Sequence, residues 1–186
     1  KDYTKDLIEA HKKCEKLMPL LHLPVQSGSS EILKKMNRGH CVKEYTDLIE
    51  ALKESNSSIK FSSDFIIAYP GETDKDFEKT IELLKKIKFI NTFSFIFSPR
   101  PGTPAASLDT VDFRIAKNRL TLFQQTSNEI KKNYREKLVN TYCNVLFENK
   151  TKNDDNSFFG RDEYFNSVIV KSKINLTGQI KKVKIS

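Results

Sequence analysis

Phe65-Ile66-Ile67-Ala68-Tyr69-Pro70-Gly71-Glu72-Thr73-Asp74 decides the fold. An apolar run halts at Pro-Gly, a carboxylate follows, and a capped amphipathic helix begins. Such a run reads as a strand buried on both faces. Thr73 or Asp74 can cap the helix, whose Phe77, Ile81 and Leu84 lie on one stripe. The loop therefore stands at the carboxyl end of a parallel strand, where α/β folds place ligands. Gln26-Ser27-Gly28-Ser29 and Ser98-Pro99-Arg100-Pro101-Gly102-Thr103-Pro104 also follow apolar runs. Three polar, glycine-bearing loops on one rim point to a ligand site.

Outward from that stretch the pattern repeats. Asp6–Lys16 reads as a helix and Leu20–Val25 as a buried strand with Pro24 near its end. Ser30 can cap a turn carrying Ile32, Leu33 and Met36, which Asn37-Arg38-Gly39-His40 breaks. Tyr45, Leu48, Ile49 and Leu52 mark a second helix. A strand over 59–69, a helix over 74–88 and an aromatic strand over 92–97 follow. This alternation predicts right-handed βαβ units and a parallel sheet. Phe113, Ala116, Leu120, Phe123, Ile130 and Tyr134 then place one long helix over 112–138. Beyond it, 142–147, 164–170 and 178–185 read as short strands, with 150–157 and 171–177 as polar turns. That spacing predicts a small antiparallel barrel, so the expected domains are 1–138 and 139–186.

A length of 186 residues holds one good-sized core and a small accessory domain. No apolar stretch approaches the ~20 residues of a membrane helix. Cys14, Cys41 and Cys143 are odd in number and far apart, which argues against a disulfide framework and for a reducing, cytoplasmic setting. The net charge of +8 is uneven: residues 131–186 hold twelve Lys and Arg against six Asp and Glu. A basic end on a nearly neutral body suggests a polyanion such as RNA, or simply a solvated lysine-rich surface. The chain begins at Lys1 rather than Met and is expected to be part of a longer protein.

Each loop has a bland reading beside the chemical one. Gln26 and Ser27 offer an amide and a hydroxyl at a strand end, although Gln-Ser-Gly-Ser is also an ordinary turn into a capped helix. Pro70-Gly71 fits a type II turn, and Glu72 can serve the helix dipole. Arg100 can hold a carboxylate or phosphate bidentately, or lie in solvent. Asp64, inside an apolar strand, must be paired, as a functional group or as the anchor of a buried network. His22 and His40 lack metal-ligand spacing, and no zinc, Ser-His-Asp or Walker pattern occurs.

His22–Ser29, Met36–His40, Ser62–Ile66, Pro70–Asp74 and Ser98–Ala106 occur in order and at matching intervals. Together they resemble the methylthiotransferases of the radical S-adenosylmethionine superfamily over nearly the whole chain, less so after about Leu138. The resemblance implies the C-terminal part of a partial, TIM-like (β/α) barrel binding S-adenosylmethionine, then a truncated RNA-holding β-barrel called TRAM. It implies addition of a methylthio group to carbon 2 of an N6-isopentenylated adenosine beside the tRNA anticodon. A [4Fe–4S] cluster cleaves one S-adenosylmethionine to a 5′-deoxyadenosyl radical that takes the ring hydrogen, a second cluster takes part in sulfur insertion, and another S-adenosylmethionine gives the methyl. Tying residues to roles, it implies Gln26, Ser27, Ser29, Asp64, Gly71, Glu72 and Arg100 as cofactor-binding residues. Lys171, Lys173, Lys181 and Lys182 are RNA candidates by charge alone. The implied partners are tRNA and S-adenosylmethionine, with no membrane and a monomeric full-length enzyme.

Ala68 and Tyr69 stand where the family usually has Gly and Phe, and Cys41 where it has Thr. The CxxxCxxC motif whose thiolates hold the radical-generating cluster is not in this chain. It is therefore expected to have no metal ligands and no catalytic residues of its own, and to be inactive alone. Three other readings stay open: a stand-alone RNA-binding remnant, another enzyme on the same barrel, or another branch acting on threonylcarbamoyladenosine or a ribosomal protein.

Overall fold

Apolar runs ending in Pro or Gly, each followed by a helix signal, fold here into a three-stranded parallel sheet. The computed structural model describes residues 5–152 and 154–186. Leu20–His22 (β1), Lys60–Ile67 (β2) and Asn91–Ile96 (β3) pair in that order, every neighbour parallel. Lys5–Lys13 (α1), Ser30–Lys35 (α2), Val42–Ser55 (α3), Asp74–Ile87 (α4) and Phe113–Glu136 (α5) are the helices. Because all three strands run the same way, the segments after His22, Ile67 and Ile96 emerge at one edge.

One face of the sheet carries the core. Ile49 and Leu52 of α3, Phe77 and Leu84 of α4, and Ala116 and Phe123 of α5 pack with Phe61, Phe65 and Ile67. The Phe65 ring lies 4.7 Å from Phe123 and 5.6 Å from Phe89. Each such ring contributes on the order of 1.5–3 kcal/mol by leaving water. The expectation of a strand buried on both faces is met on one: Phe61, Phe65 and Ile67 of β2 are buried, whereas on the opposite, bare face Asp64 and Ile66 are only partly covered and Phe93 and Phe95 of β3 are 49% and 60% exposed. Phe113, expected on the apolar stripe of α5, is exposed too, because it opens the helix ahead of the contact with the sheet.

The local signals resolve into caps. Thr73 and Asp76 form a capping box on α4. Ser29, not Ser30, caps α2. Cys41 takes the cap of α3, its N–H donating to Glu44 at 2.8 Å and its sulfur accepting from Glu44 N–H at 3.5 Å. A thiol at a position where Thr is usual therefore keeps the box.

After α5 the chain forms a four-stranded antiparallel sheet, order β6-β5-β4-β7, from Tyr142–Thr151 (β4), Asp154–Asp162 (β5), Ser167–Lys171 (β6) and Ile180–Lys184 (β7). It is open rather than closed into a barrel. The expected turn over 150–157 is corrected: both flanking strands run into it, and of its residues Asn153 lies outside the described set. Residues 164–166, expected in a strand, are a turn organised by Asp162, which accepts from the N–H groups of Tyr164 and Asn166. Polar residues hid β5, whose Phe158 is nonetheless buried with Val145, Phe147 and Leu176.

Candidate functional site

At the end of β1, Pro24 cannot donate to the ladder. Ser63 bridges the break, accepting from Val25 N–H at 3.0 Å and donating to the Leu23 carbonyl at 2.7 Å. Gln26 is thereby held in register, its N–H on the Asp64 carbonyl and its own carbonyl on Ile66 N–H. It adopts φ +76°, an uncommon conformation for a residue with a side chain. Its amide has no hydrogen-bond partner among the described residues, so a strained, positioned and unpaired group stands at the strand tip.

Asp64 lies beside it on the bare face. Its Oδ2 is 3.4 Å from His22 Nε2, and His22 Nδ1 is 3.0 Å from the Ser62 hydroxyl. Phe93, the register partner of Asp64, meets the His22 ring edge-on at 6.1 Å. Both Asp64 and His22 keep about a third or more of their side chains exposed, 32% and 45%, so the pair can still receive a ligand. His22, which the sequence marks only as lacking metal-ligand spacing, is the neighbour that accounts for a carboxylate in this strand; its place two residues before Pro24 on the opposite parity to Leu21 and Leu23 was the available signal.

The second loop is organised from within. Tyr69-Pro70-Gly71-Glu72 is the expected type II turn, with Gly71 at φ +75° and Glu72 N–H on the Tyr69 carbonyl at 2.9 Å. Glu72 is buried, and its carboxylate accepts Ala68 N–H at 3.0 Å and Arg119 Nη1 at 2.9 Å. Arg119 also donates to the Glu72 carbonyl and to Asp74. Burial drives the Glu72 carboxyl upward in pKa, ahead of the Ala68 hydrogen bond and the guanidinium that draw it down. Glu72 thus fixes the loop rather than presenting a free carboxylate. Nothing local announces Arg119; it lies 47 residues away on a helix.

Ser27 and Ser29 are also engaged. Ser27 Oγ accepts from Ser29 N–H, and Ser29 Oγ donates to Asp76 Oδ1 at 2.6 Å. Asp76 Oδ2 takes the N–H and hydroxyl of Thr73, so one carboxylate ties the first loop to the second. Burial opposes its charge, but the hydrogen bonds from Ser29 and Thr73 win and hold its pKa below the ordinary value. Gly28 lets α4 close in: its N–H meets Thr80 Oγ1 at 2.9 Å, and a Cβ there would fall 2.5 Å from Thr80 Cα. The Thr73-x-x-Asp76 spacing could have revealed Asp76.

On the third loop Arg100 is exposed, and its guanidinium has no partner among the described residues. The structure therefore brings Gln26 and Asp64 side by side, puts Arg100 on a loop at the same edge, and turns Ser27, Ser29, Gly71 and Glu72 to loop architecture. Lys171, Lys173, Lys181 and Lys182 are all exposed on the antiparallel sheet and the turns beside it. Cys14 follows α1, Cys41 caps α3 and Cys143 lies on β4, so the three thiols sit on separate elements and do not fit a cluster. Among the described residues no group of three His, Cys, Asp or Glu could hold a metal, and no helix is long and apolar enough to cross a membrane.

A parallel sheet with a strained, polar strand-tip rim is the frame on which the chain's sequence relationships fall. Residues 2–84 match the Radical SAM superfamily, and the chain's similarity to curated relatives runs well beyond that segment. Among these relatives are proteins named tRNA-2-methylthio-N(6)-dimethylallyladenosine synthase. That of Pelagibacter ubique (strain HTCC1062) is 52% identical over 100% of this chain and 41% of its own length. That of Rickettsia felis is 45% identical over 100% of this chain and 42% of its own. That of Ehrlichia canis is 45% identical over 92% of this chain and 39% of its own. The chain thus spans about two-fifths of the length of these curated relatives, in their C-terminal part. The family uses S-adenosylmethionine and [4Fe–4S] clusters.

Proposed function

We propose that this chain works as part of a tRNA methylthiotransferase, which adds a methylthio group to carbon 2 of N6-isopentenyladenosine next to the anticodon. The observation that carries this reading is the 52% identity to the Pelagibacter synthase across the whole chain. S-adenosylmethionine, when bound, would supply the radical chemistry and the methyl group. Within this chain the Gln26 amide and the Asp64 carboxylate, held by His22, would take its polar groups. Arg100 would reach its carboxylate or a substrate phosphate. Ser27, Ser29, Gly71 and Glu72 would act at one remove, by fixing the two loops. The bare face bearing Phe93 and Phe95 would line the reaction space and exclude water. The antiparallel sheet would be the TRAM module that holds RNA, with Lys171, Lys173, Lys181 and Lys182 among its cations. Lacking cluster thiolates, the 186-residue chain alone would not turn over.

Mass spectrometry of tRNA nucleosides from cells lacking the full-length gene tests this. Loss of 2-methylthio-N6-isopentenyladenosine, with its unthiolated precursor accumulating, is expected. An intact methylthio mark on isopentenyladenosine would overturn the reading, and loss of the threonylcarbamoyladenosine mark instead would move the protein to the other tRNA branch.

A further inference from the structure

The parallel sheet has a second end. Where β2 and β3 begin, on the far side from Gln26 and Asp64, the last turns of α3, α4 and α5 stand around a cleft of about 1040 Å³. Ile59, Phe61, Ile87 and Ile90 close its floor, each 5% exposed or less, and Ile130 and Leu138 stand at its side. A cleft of this size lies at the upper end of what small-molecule sites hold, about 300–1,000 Å³, and far exceeds a packing gap.

Its rim is cationic. Lys53 comes to it from α3, Lys60 from the start of β2, and Lys88 and Lys137 from the caps that end α4 and α5. None of the four has an ion-pair partner among the described residues, because the carboxylates nearby are taken. Glu136 on the wall is held by Lys132 at 3.8 Å, and Glu50, which acts on Lys53, by Lys86 at 3.5 Å. Lys53 Nζ stands 5.8 Å from the centre of the Phe61 ring. Its pKa is pushed down, first by burial and then by the like charge of Lys60, with Lys88 and Lys86 adding to it. Lysines at helix ends also answer the helix dipoles, worth about half a charge each. Three such ends offset only part of four full charges, so the cleft stays positive.

We infer that this cleft binds an organic di- or triphosphate, its body lying on the floor of Ile59, Phe61, Ile87 and Ile90 and its phosphates reaching Lys53, Lys60, Lys88 and Lys137. The inference goes beyond the function proposed above and does not depend on it, since the site lies at the opposite end of the sheet. The cations select phosphate over carboxylate. Each is a lysine, a compact point charge on a flexible stem, whereas a planar carboxylate is matched by the arginine fork that this rim lacks. Convergence of four cations without a counter-ion calls for a multiply charged ligand. A closed apolar floor between three helices favours a small molecule over the surface of an acidic protein.

The test is calorimetric titration of the full-length protein with ADP, geranyl diphosphate and inorganic pyrophosphate. At least one of the two organic phosphates is expected to bind, and more tightly than pyrophosphate; the tighter of them tells a nucleoside body from a prenyl one. Lys60→Gln and Lys88→Asn, the latter because Asn accepts the φ of +59° at that position, are each expected to weaken that binding roughly tenfold or more, the loss of one hydrogen bond to a charged group. The melting temperature of the unliganded variants should be unchanged or higher, since each removes a repelling charge, and S-adenosylmethionine affinity should be unchanged. Silence from both organic phosphates, pyrophosphate binding as tightly as either, or affinities unmoved by both substitutions overturns the inference and leaves the functional reading standing. If instead a labelled 12-nucleotide RNA loses affinity in these variants while both organic phosphates stay silent, the cleft is an RNA contact and the inference is again overturned. Should Lys60→Gln fail to fold, Lys53→Gln takes its place with the same expected and overturning results.

Discussion

Arg119 of α5 places its Nη1 2.9 Å from Glu72 Oε1, and both side chains are almost wholly withdrawn from water, at 8% and 1% exposure. The loop between β2 and α4 is therefore clamped from a helix that follows it by some forty residues. Removing one partner of a buried pair strands the other's charge. Arg119→Leu is expected to lower stability by about 3–5 kcal/mol in urea unfolding. Arg119→Leu combined with Glu72→Gln should recover a large part of that loss, which two unrelated sites would not do.

Asp76 supplies a pH signature. Its folded pKa is depressed, so the stability it contributes is present above its unfolded value and is lost as pH falls through the folded one. Asp76→Asn should be less stable than the unmutated protein by about 1–3 kcal/mol near neutrality. The gap should close as pH drops below roughly 4. A gap constant from pH 7 to pH 3 would show that the hydrogen bonds to Ser29 and Thr73 do not depend on the charge.

Ala68 adopts φ +59°, a left-handed conformation in which its Cβ is a liability. Ala68→Gly is expected to stabilise the fold by up to about 1 kcal/mol, read as a higher urea midpoint with unchanged slope.

Gly28 has the opposite sensitivity. A methyl there would meet the backbone of Lys79 and Thr80, which cannot swing aside. Gly28→Ala should cost about 1–3 kcal/mol or more through displacement of α4, measured in the same unfolding experiment.

Much of this was legible in the sequence because local signals agreed with the fold. Pro70-Gly71 gave the turn, Thr73 the cap, and the apolar stripe Phe77–Leu84 the helix. Long-range partners left no such trace. Asp64 announced itself as a charge in an apolar run, but His22 became its partner only once β1 lay beside β2. Arg119 looked like any helical arginine until α5 crossed the second loop. The bareness of the face carrying Phe93 and Phe95 could not be read from an apolar run, since period-two alternation is silent about what covers each side. In the antiparallel sheet, Asp154 and Asn156 hid a strand whose register depends on its neighbours.

Calorimetric titration of S-adenosylmethionine into the full-length protein tests the strand-tip site most directly. Gln26→Ala and Asp64→Asn should each weaken binding by roughly tenfold or more, the loss of one hydrogen bond to a charged ligand, while Lys182→Gln leaves it unchanged. Affinities equal to the unmutated protein's in both strand-tip variants would contradict a cofactor site at the ends of β1 and β2.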